Sequence, residues 1–316
     1  QYGGLRKSYD GGNNWYNIKP VNYEGGWNTP YKMHEINNNL IVVGYDEVYR
    51  STTAGSVWDS ISYNVSGGQA IRNIALARSN EDYIYAASYT KIEVTKNAGQ
   101  SWQNIKIGLP NYNIGGIAVA RDNADRAWVV FSNYNNSHKI YETTDAGSTW
   151  INISGTALPA LPVNCVIHQG GVNDELYIGT DVGVYYKTNT MSDWAPFNTG
   201  LPNVIIEELE IHQQEGTISA ATFGRGVWKS PLNSPPNSVS NEFNELTFSV
   251  FPNPTCSNIN INTNASEFSI EIISLTGQKI TQKNSKKINV TSLPKGCYII
   301  QLISNDIIKR RRLIIK

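Results

Sequence analysis

Thr143-Thr144-Asp145-Ala146-Gly147-Ser148-Thr149-Trp150 is one copy of a motif that returns along the chain. The same punctuation stands at Ser8-Tyr9-Asp10-Gly11-Gly12-Asn13-Asn14-Trp15, Ser51-Thr52-Thr53-Ala54-Gly55-Ser56-Val57-Trp58 and Thr95-Lys96-Asn97-Ala98-Gly99-Gln100-Ser101-Trp102. A fifth, weaker copy is Lys187-Thr188-Asn189-Thr190-Met191-Ser192-Asp193-Trp194. The tryptophans lie 43, 44, 48 and 44 residues apart, and a fixed period of that size marks a repeat architecture.

Each period holds four short runs of strand character. In the unit that ends at Trp102 they are Ile71–Ala77, Tyr83–Ala87, Lys91–Thr95 and Ser101–Ile105. Runs this short, rich in Val, Ile, Tyr and Trp and separated by turn residues, predict a four-stranded antiparallel meander. No window keeps apolar residues at helical spacing. Four strands per period around one axis is a propeller blade, so the expectation is all-β, a β-propeller of four-stranded blades. Within the turn, an Asp or Asn side chain is expected to accept from backbone N–H groups one or two residues on. The glycine two positions later supplies a positive φ. The tryptophan is expected to cover the hairpin, worth roughly 2–3 kcal/mol on burial. Thr53 is a weaker acceptor, and Met191 stands in the glycine position, so these two hairpins are predicted looser or differently turned.

These residues resemble the Asp-box (BNR, sortilin-like) repeat family, which includes sialidases, xyloglucanase-type glycoside hydrolases, the sortilin ectodomain and a photosystem assembly factor. There the box lies on the outer blade edge, away from the central pocket. The resemblance therefore implies a structural role for Asp10, Trp15, Trp58, Asn97, Trp102, Asp145, Trp150 and Trp194.

The chain opens just before a box, at Gly3-Gly4-Leu5-Arg6-Lys7-Ser8. Four whole blades are expected, ending near residues 62, 107, 154 and 199, then a partial one without a box. The expectation is the C-terminal part of a longer secreted polypeptide, a ring incomplete at its N-terminus and cut from a seven-bladed parent.

Composition shifts at residue 231. Residues 231–245 are rich in Pro, Ser and Asn and read as a linker. All eight tryptophans precede it. Residues 1–230 carry 16 Lys+Arg against 21 Asp+Glu, net −5, and residues 231–316 carry 10 against 5, net +5. A neutral total thus conceals two oppositely charged modules: a propeller over 1–230 and a second domain over 246–316. The latter shows seven short runs with alternating polarity, predicting a small immunoglobulin-like β-sandwich.

Phe251-Pro252-Asn253-Pro254, Leu275-Thr276-Gly277-Gln278-Lys279, Leu293-Pro294-Lys295-Gly296-Cys297-Tyr298 and a basic final strand occur in that order. Together they resemble the type A C-terminal sorting domain of the type IX secretion system of Bacteroidetes, with Pro252, Asn253, Pro254, Gly277, Gly296 and Tyr298 as motif positions. The resemblance implies passage across the outer membrane by that machinery, cleavage of the domain, and a cargo released or held at the cell surface. The other reading is an accessory sandwich that binds sugar or packs on the propeller. Lys309-Arg310-Arg311-Arg312 reads as a solvated edge strand rather than a nucleic-acid stripe.

For chemistry the sequence offers little. Three cysteines make no disulfide framework, although Cys256 and Cys297 are able to pair if their strands are neighbours. Cys165 reads as a small buried residue on an inner strand. The four histidines show no metal-ligand spacing, and no cofactor motif is present. Inner-strand candidates around the channel mouth are His34 and Glu35, Arg72 and Asn73, and Glu207, Glu208 and Glu210. Trp27 and Trp128 lie outside the boxes and offer aromatic platforms; Arg225, in Phe223-Gly224-Arg225-Gly226-Val227-Trp228, offers a cation to the channel. Trp27, Arg72, Trp128, Glu208 and Arg225 are therefore the candidate ligand-binding set. Glu207 and Glu208 would face opposite ways on a regular strand, a poor acid–base pair. The expectation is a non-catalytic module that binds glycan or protein, without metal or cofactor. The alternative is a fragment of a glycoside hydrolase of xyloglucanase or sialidase type.

Overall fold

The computed structural model describes residues 2–234, 248–263, 265, 267–274, 277–304 and 307–316. The chain divides into two units, residues 1–237 and 238–316.

The first unit opens with β1 (Arg6–Lys7) paired to β2 (Tyr16–Asn17). Four complete meanders follow. The first is β3 (Tyr31–Met33), β4 (Ile41–Gly44), β5 (Val48–Ser51) and β6 (Asp59–Ser60). The second is β7 (Asn73–Leu76), β8 (Ile84–Ala87), β9 (Ile92–Thr95) and β10 (Gln103–Asn104). The third is β11 (Ile114–Val119), β12 (Ala127–Phe131), β13 (Ile140–Thr143) and β14 (Ile151–Asn152). The fourth is β15 (Val163–Gly170), β16 (Glu175–Thr180), β17 (Gly183–Lys187) and β18 (Ala195–Pro196). A three-stranded sheet, β19 (Ile206–His212), β20 (Thr217–Thr222) and β21 (Gly226–Pro231), closes the series. Every pairing is antiparallel, and the first strands of successive sheets lie side by side, β7 on β11, β11 on β15, β15 on β19. The unit is a β-propeller.

Period-two alternation explains the stacking. On β12, Ala127, Val129 and Phe131 enter a core shared with the second meander, while Trp128 and Val130 enter one shared with the fourth. Second strands are therefore apolar on both faces, and β8, β12 and β16 are buried throughout. Fourth strands form the rim, and three of the four are exposed at both residues.

The boxes fold more tightly than their sequences predict. Thr143 Oγ1 accepts from the Asp145 and Gly147 amides at 3.3 and 2.8 Å, and Asp145 Oδ1 accepts from the Thr149 amide at 2.8 Å. The acidic side chain thus reaches four residues on, not one or two. Two consecutive residues, Ala146 (φ 55°) and Gly147 (φ 85°), adopt the left-handed region. Thr53 meets the same geometry, accepting from the Val57 amide at 2.8 Å, so the second hairpin is not the looser one expected. The hydroxyl sits where a carboxylate oxygen would and needs only one lone pair. The fifth copy is turned differently: Asp193 accepts from the amides of Thr156 and Ala157 in the preceding loop and of its neighbour Trp194.

The tryptophans also do more than cap their own hairpins. Each indole N–H crosses to the preceding repeat and donates to the carbonyl three residues past that repeat's tryptophan. Trp58 reaches Ile18 at 2.7 Å, Trp102 reaches Ile61 at 2.7 Å, Trp150 reaches Ile105 at 2.8 Å and Trp194 reaches Ile153 at 2.9 Å. Trp15 is 61% exposed.

Residues 231–234 of the expected linker belong to this unit. Pro231 ends β21 and Leu232 is buried. Asn233 and Ser234 satisfy the buried carboxylate of Glu175, which also accepts from the Tyr177 hydroxyl at 2.6 Å. A buried carboxylate needs such donors, and these came from residues whose composition reads as linker. Residues 235–245 lie outside the described residues.

Among its described residues the second unit has seven strands in two antiparallel sheets. β22 (Ser249–Phe251), β23 (Asn258–Asn262) and β26 (Lys287–Asn289) form one. β25 (Lys279–Lys283), β24 (Ser269–Ser274), β27 (Gly296–Ser304) and β28 (Ile307–Ile315) form the other in that spatial order. Alternating residues such as Ile259, Ile261, Ile270, Ile272, Ile300 and Leu302 fill the space between them, giving an immunoglobulin-like sandwich.

Candidate functional site

Two polar groupings emerge where the first strands of the blades converge. At the C-terminal ends of β3, β7 and β11, the chain places Glu35, Arg78 and Arg121. Arg121 lies 2.7 Å from Glu35 and Arg78 lies 3.4 Å from it, so the Glu35 carboxylate gathers two guanidinium groups, one from each of two other blades. His34 beside it is buried; its Nδ1 accepts from the Asn37 amide at 3.0 Å, and its Nε2 has no partner among the described residues. Behind Arg121, His168 Nδ1 accepts that residue's amide at 3.2 Å, and His168 Nε2 stands 2.8 Å from Asp174. Arg126 also binds Asp174, at 2.8 Å. The His168 hydrogen bond, aided by Arg126 against the opposing effect of burial, holds the Asp174 carboxyl down to about 2.

The second grouping is on β3 and β19. Lys32 Nζ lies 3.7 Å from Glu208 and 3.4 Å from Glu210. β19 is not regular: its register against β20 shifts between Ile206 and Glu208, and Glu207 and Glu208 are both exposed. A bulge inserts one extra residue and resets the alternation, so the expectation that these two side chains must oppose each other does not apply. Cys165 is on β15, with its thiol pushed up to about 12 by burial.

The five candidate ligand residues fare unequally. Trp27 is 55% exposed in the loop before β3, with Tyr2 edge-on at 5.1 Å between ring centroids. Arg72 is exposed immediately before β7, its guanidinium 4.5 Å from the centre of the Tyr89 ring. Glu208 is exposed and paired to Lys32. Trp128 is a correction: it is 2% exposed, lying between His168 and Arg126 at 4.7 Å from each. A ring on a second strand packs between blades and presents no face to a ligand. Arg225 is exposed in the β20–β21 turn, and its carbonyl accepts from the Trp228 indole at 3.1 Å. No hydrogen bond or ion pair joins any two of the five among the described residues. Trp27, Arg72 and Arg225 nevertheless share one end of their blades, the end at which first strands begin, since Thr222 pairs with Ile206.

Sequence reading missed Lys139. It is fully buried, donates to the carbonyls of Asn133 and Leu161 at 2.6 Å each, and burial lowers its pKa to about 8. The only trace in the sequence is a lysine set immediately before β13.

In the second unit the motif positions tie the terminal strand. Asn253 Nδ2 donates to the Arg312 carbonyl at 2.6 Å, and Asn253 Oδ1 accepts from the Ile314 amide at 2.9 Å. The Pro252 and Pro254 peptides flank that contact. The Tyr298 hydroxyl donates to the Pro294 carbonyl at 2.7 Å; Gly296 opens β27, and Gly277 turns the chain at φ 86° before β25. Leu275 and Thr276 lie outside the described residues. Cys256 and Cys297 are both exposed free thiols, so the pairing is not formed. β28, with its four basic residues, is the outer strand of its sheet.

Residues 249–316 match the family profile of the secretion system C-terminal sorting domain. This chain therefore carries a type IX sorting domain: it engages that export machinery and is destined for secretion or the outer-membrane surface, with the tail removed. No curated protein matches the chain in sequence. Its structure is similar to that of an ancestral GH74 enzyme, at 14% identity and a TM-score of 0.52, over 95% of this chain and 49% of that one. It is also similar to PorZ, a surface component of the type IX secretion system of Porphyromonas gingivalis, at 12% identity and a TM-score of 0.49, over 96% and 55%. YCF48 from Cyanidioschyzon merolae gives 11% and 0.46, over 90% and 94%. The chain spans about half the length of the GH74 enzyme and of PorZ, and likeness at such identities is one of fold.

Proposed function

We propose that this exported propeller is a non-catalytic binding module that takes an extracellular polysaccharide at the end of the blades where first strands begin. The observation that carries the reading is the exposed aromatic and cationic set at that end: Trp27 with Tyr2, Arg72 over Tyr89, and Tyr31, which is 58% exposed at the start of β3. Flat rings held rigid by edge contacts offer apolar faces to sugar rings, and the guanidinium adds hydrogen-bond donors. The inner-strand carboxylates support the same reading. Glu35 is engaged by two arginines and Glu208 with Glu210 by Lys32, whereas glycoside hydrolysis needs two carboxyl groups flanking a bond. The boxes are read as scaffolding on the strength of their inter-blade bonds.

Affinity electrophoresis in gels containing plant and bacterial polysaccharides tests this. Retardation by at least one polysaccharide is expected, with Trp27→Ala and Arg72→Ala each weakening it about tenfold. Release of reducing sugar by the wild-type chain, or retardation unchanged in both variants, would overturn it.

A further inference from the structure

The indole tethers form a series with one member missing. Ile18, Ile61, Ile105 and Ile153 each stand three residues past a box tryptophan, and each offers its carbonyl to the indole of the next repeat. The fifth position of the series is Phe197, three residues past Trp194. No indole reaches its carbonyl among the described residues, because the sheet that follows has no box. A groove opens there, lined by Val184, Phe197, Leu201, Leu209, Ile218 and Trp228, with Thr199 and Lys229 at its rim. Among the described residues the sheet beside it stops one strand short: β21 is the outer strand of a three-stranded sheet, whereas each complete meander adds a fourth strand immediately after its tryptophan. Along β21 and its turn, Phe223 is 68% exposed, Val227 73% and Trp228 40%.

We propose that this groove and the free edge of β21 form a docking site for an extended polypeptide segment carrying a tryptophan. The indole fills the groove and donates to the Phe197 carbonyl, while the residues after it pair with β21 as a fourth strand. Edge addition of this kind takes its affinity from main-chain hydrogen bonds and its specificity from a side-chain pocket. The argument for this occupant is internal. Four times the chain seats a tryptophan followed by a short strand against the equivalent surface, with the same donor and the same acceptor. The fifth surface retains the carbonyl and the apolar walls.

The probe is a fluorescein-labelled peptide with the sequence of residues 143–154, titrated with the full chain and followed by anisotropy. Saturable binding is expected, at least tenfold weaker when the peptide's tryptophan is replaced by alanine. Thr199→Arg, at an exposed rim position, should weaken it comparably without changing the melting temperature. No binding, or binding indifferent to the tryptophan, overturns the proposal. Self-association of the chain that Trp15→Ala abolishes would place a second copy in the groove and overturn it equally.

Discussion

At Asp145 a single side chain sets the acid limit of its hairpin. Its carboxyl is lowered to about 2, chiefly by hydrogen bonds from the Thr149 side chain and amide and from Thr143. Asp10 is lowered to about 2 in the same way, by the amide and side chain of Asn14 and the hydroxyl of Ser8. A folded-state pKa below the unfolded value of 3.8 contributes stability that is complete above pH 4 and lost as the pH falls toward 2. Melting temperature should therefore drop between pH 4 and pH 2, and Asp145→Asn should make that drop shallower. A variant whose pH profile parallels the wild type would show that the hydrogen bonds do not distinguish ionised from neutral carboxyl. Asp174 acts in the same window through His168 and Arg126, so the slope should diminish rather than vanish.

At the scale of the hairpin, the box glycine and the tether act together. A Cβ on Gly147 would stand 2.5 Å from the Cβ of Ile105, the residue whose carbonyl receives the Trp150 indole. Gly55 and Gly99 meet Ile18 and Ile61 in the same way. Gly147→Ala combines left-handed strain with overpacking and should cost about 2–4 kcal/mol. Gly11→Ala, with a similar φ of 71° and nothing within 4 Å, should cost only about 1–2 kcal/mol. Urea denaturation of the pair measures the difference, and equal losses would remove the inter-blade contact from the account. This element was half legible in the sequence. Spacing and turn chemistry showed that Asp145, Gly147 and Trp150 belong to one repeating hairpin, since turn preferences are local. They could not show that Trp150 bonds Ile105, because a contact 45 residues away depends on how blades stack. Trp128 failed for the same reason: a tryptophan outside a box is free for ligand only if its strand faces solvent, and β12 faces none.

For the molecule as a whole, propeller and sandwich were legible because both announce themselves by strand count and landmark order. The proposed ligand site was legible only in part: Trp27 and Arg72 stood out by residue type, but Tyr2, Tyr31 and Tyr89 did not, since the members lie on separate blades and share no motif. The change of charge, from net −5 over 1–230 to net +5 over 231–316, follows the same division of labour. The sorting profile matches the second unit only. Removal of residues 249–316 should leave a folded propeller in the periplasm of a type IX-competent host, detected by cell fractionation with circular dichroism of the recovered protein. Truncated protein reaching the medium at wild-type yield would assign export to the propeller instead.

The tethers all point one way along the chain. During synthesis an acceptor carbonyl emerges from the ribosome some forty residues before the ring that will find it, so every new sheet is fastened to one already made. Assembly is thereby given a direction, like a zip drawn from the amino end. Among the described residues, the last slot, at Phe197, is reached with no tooth to fill it.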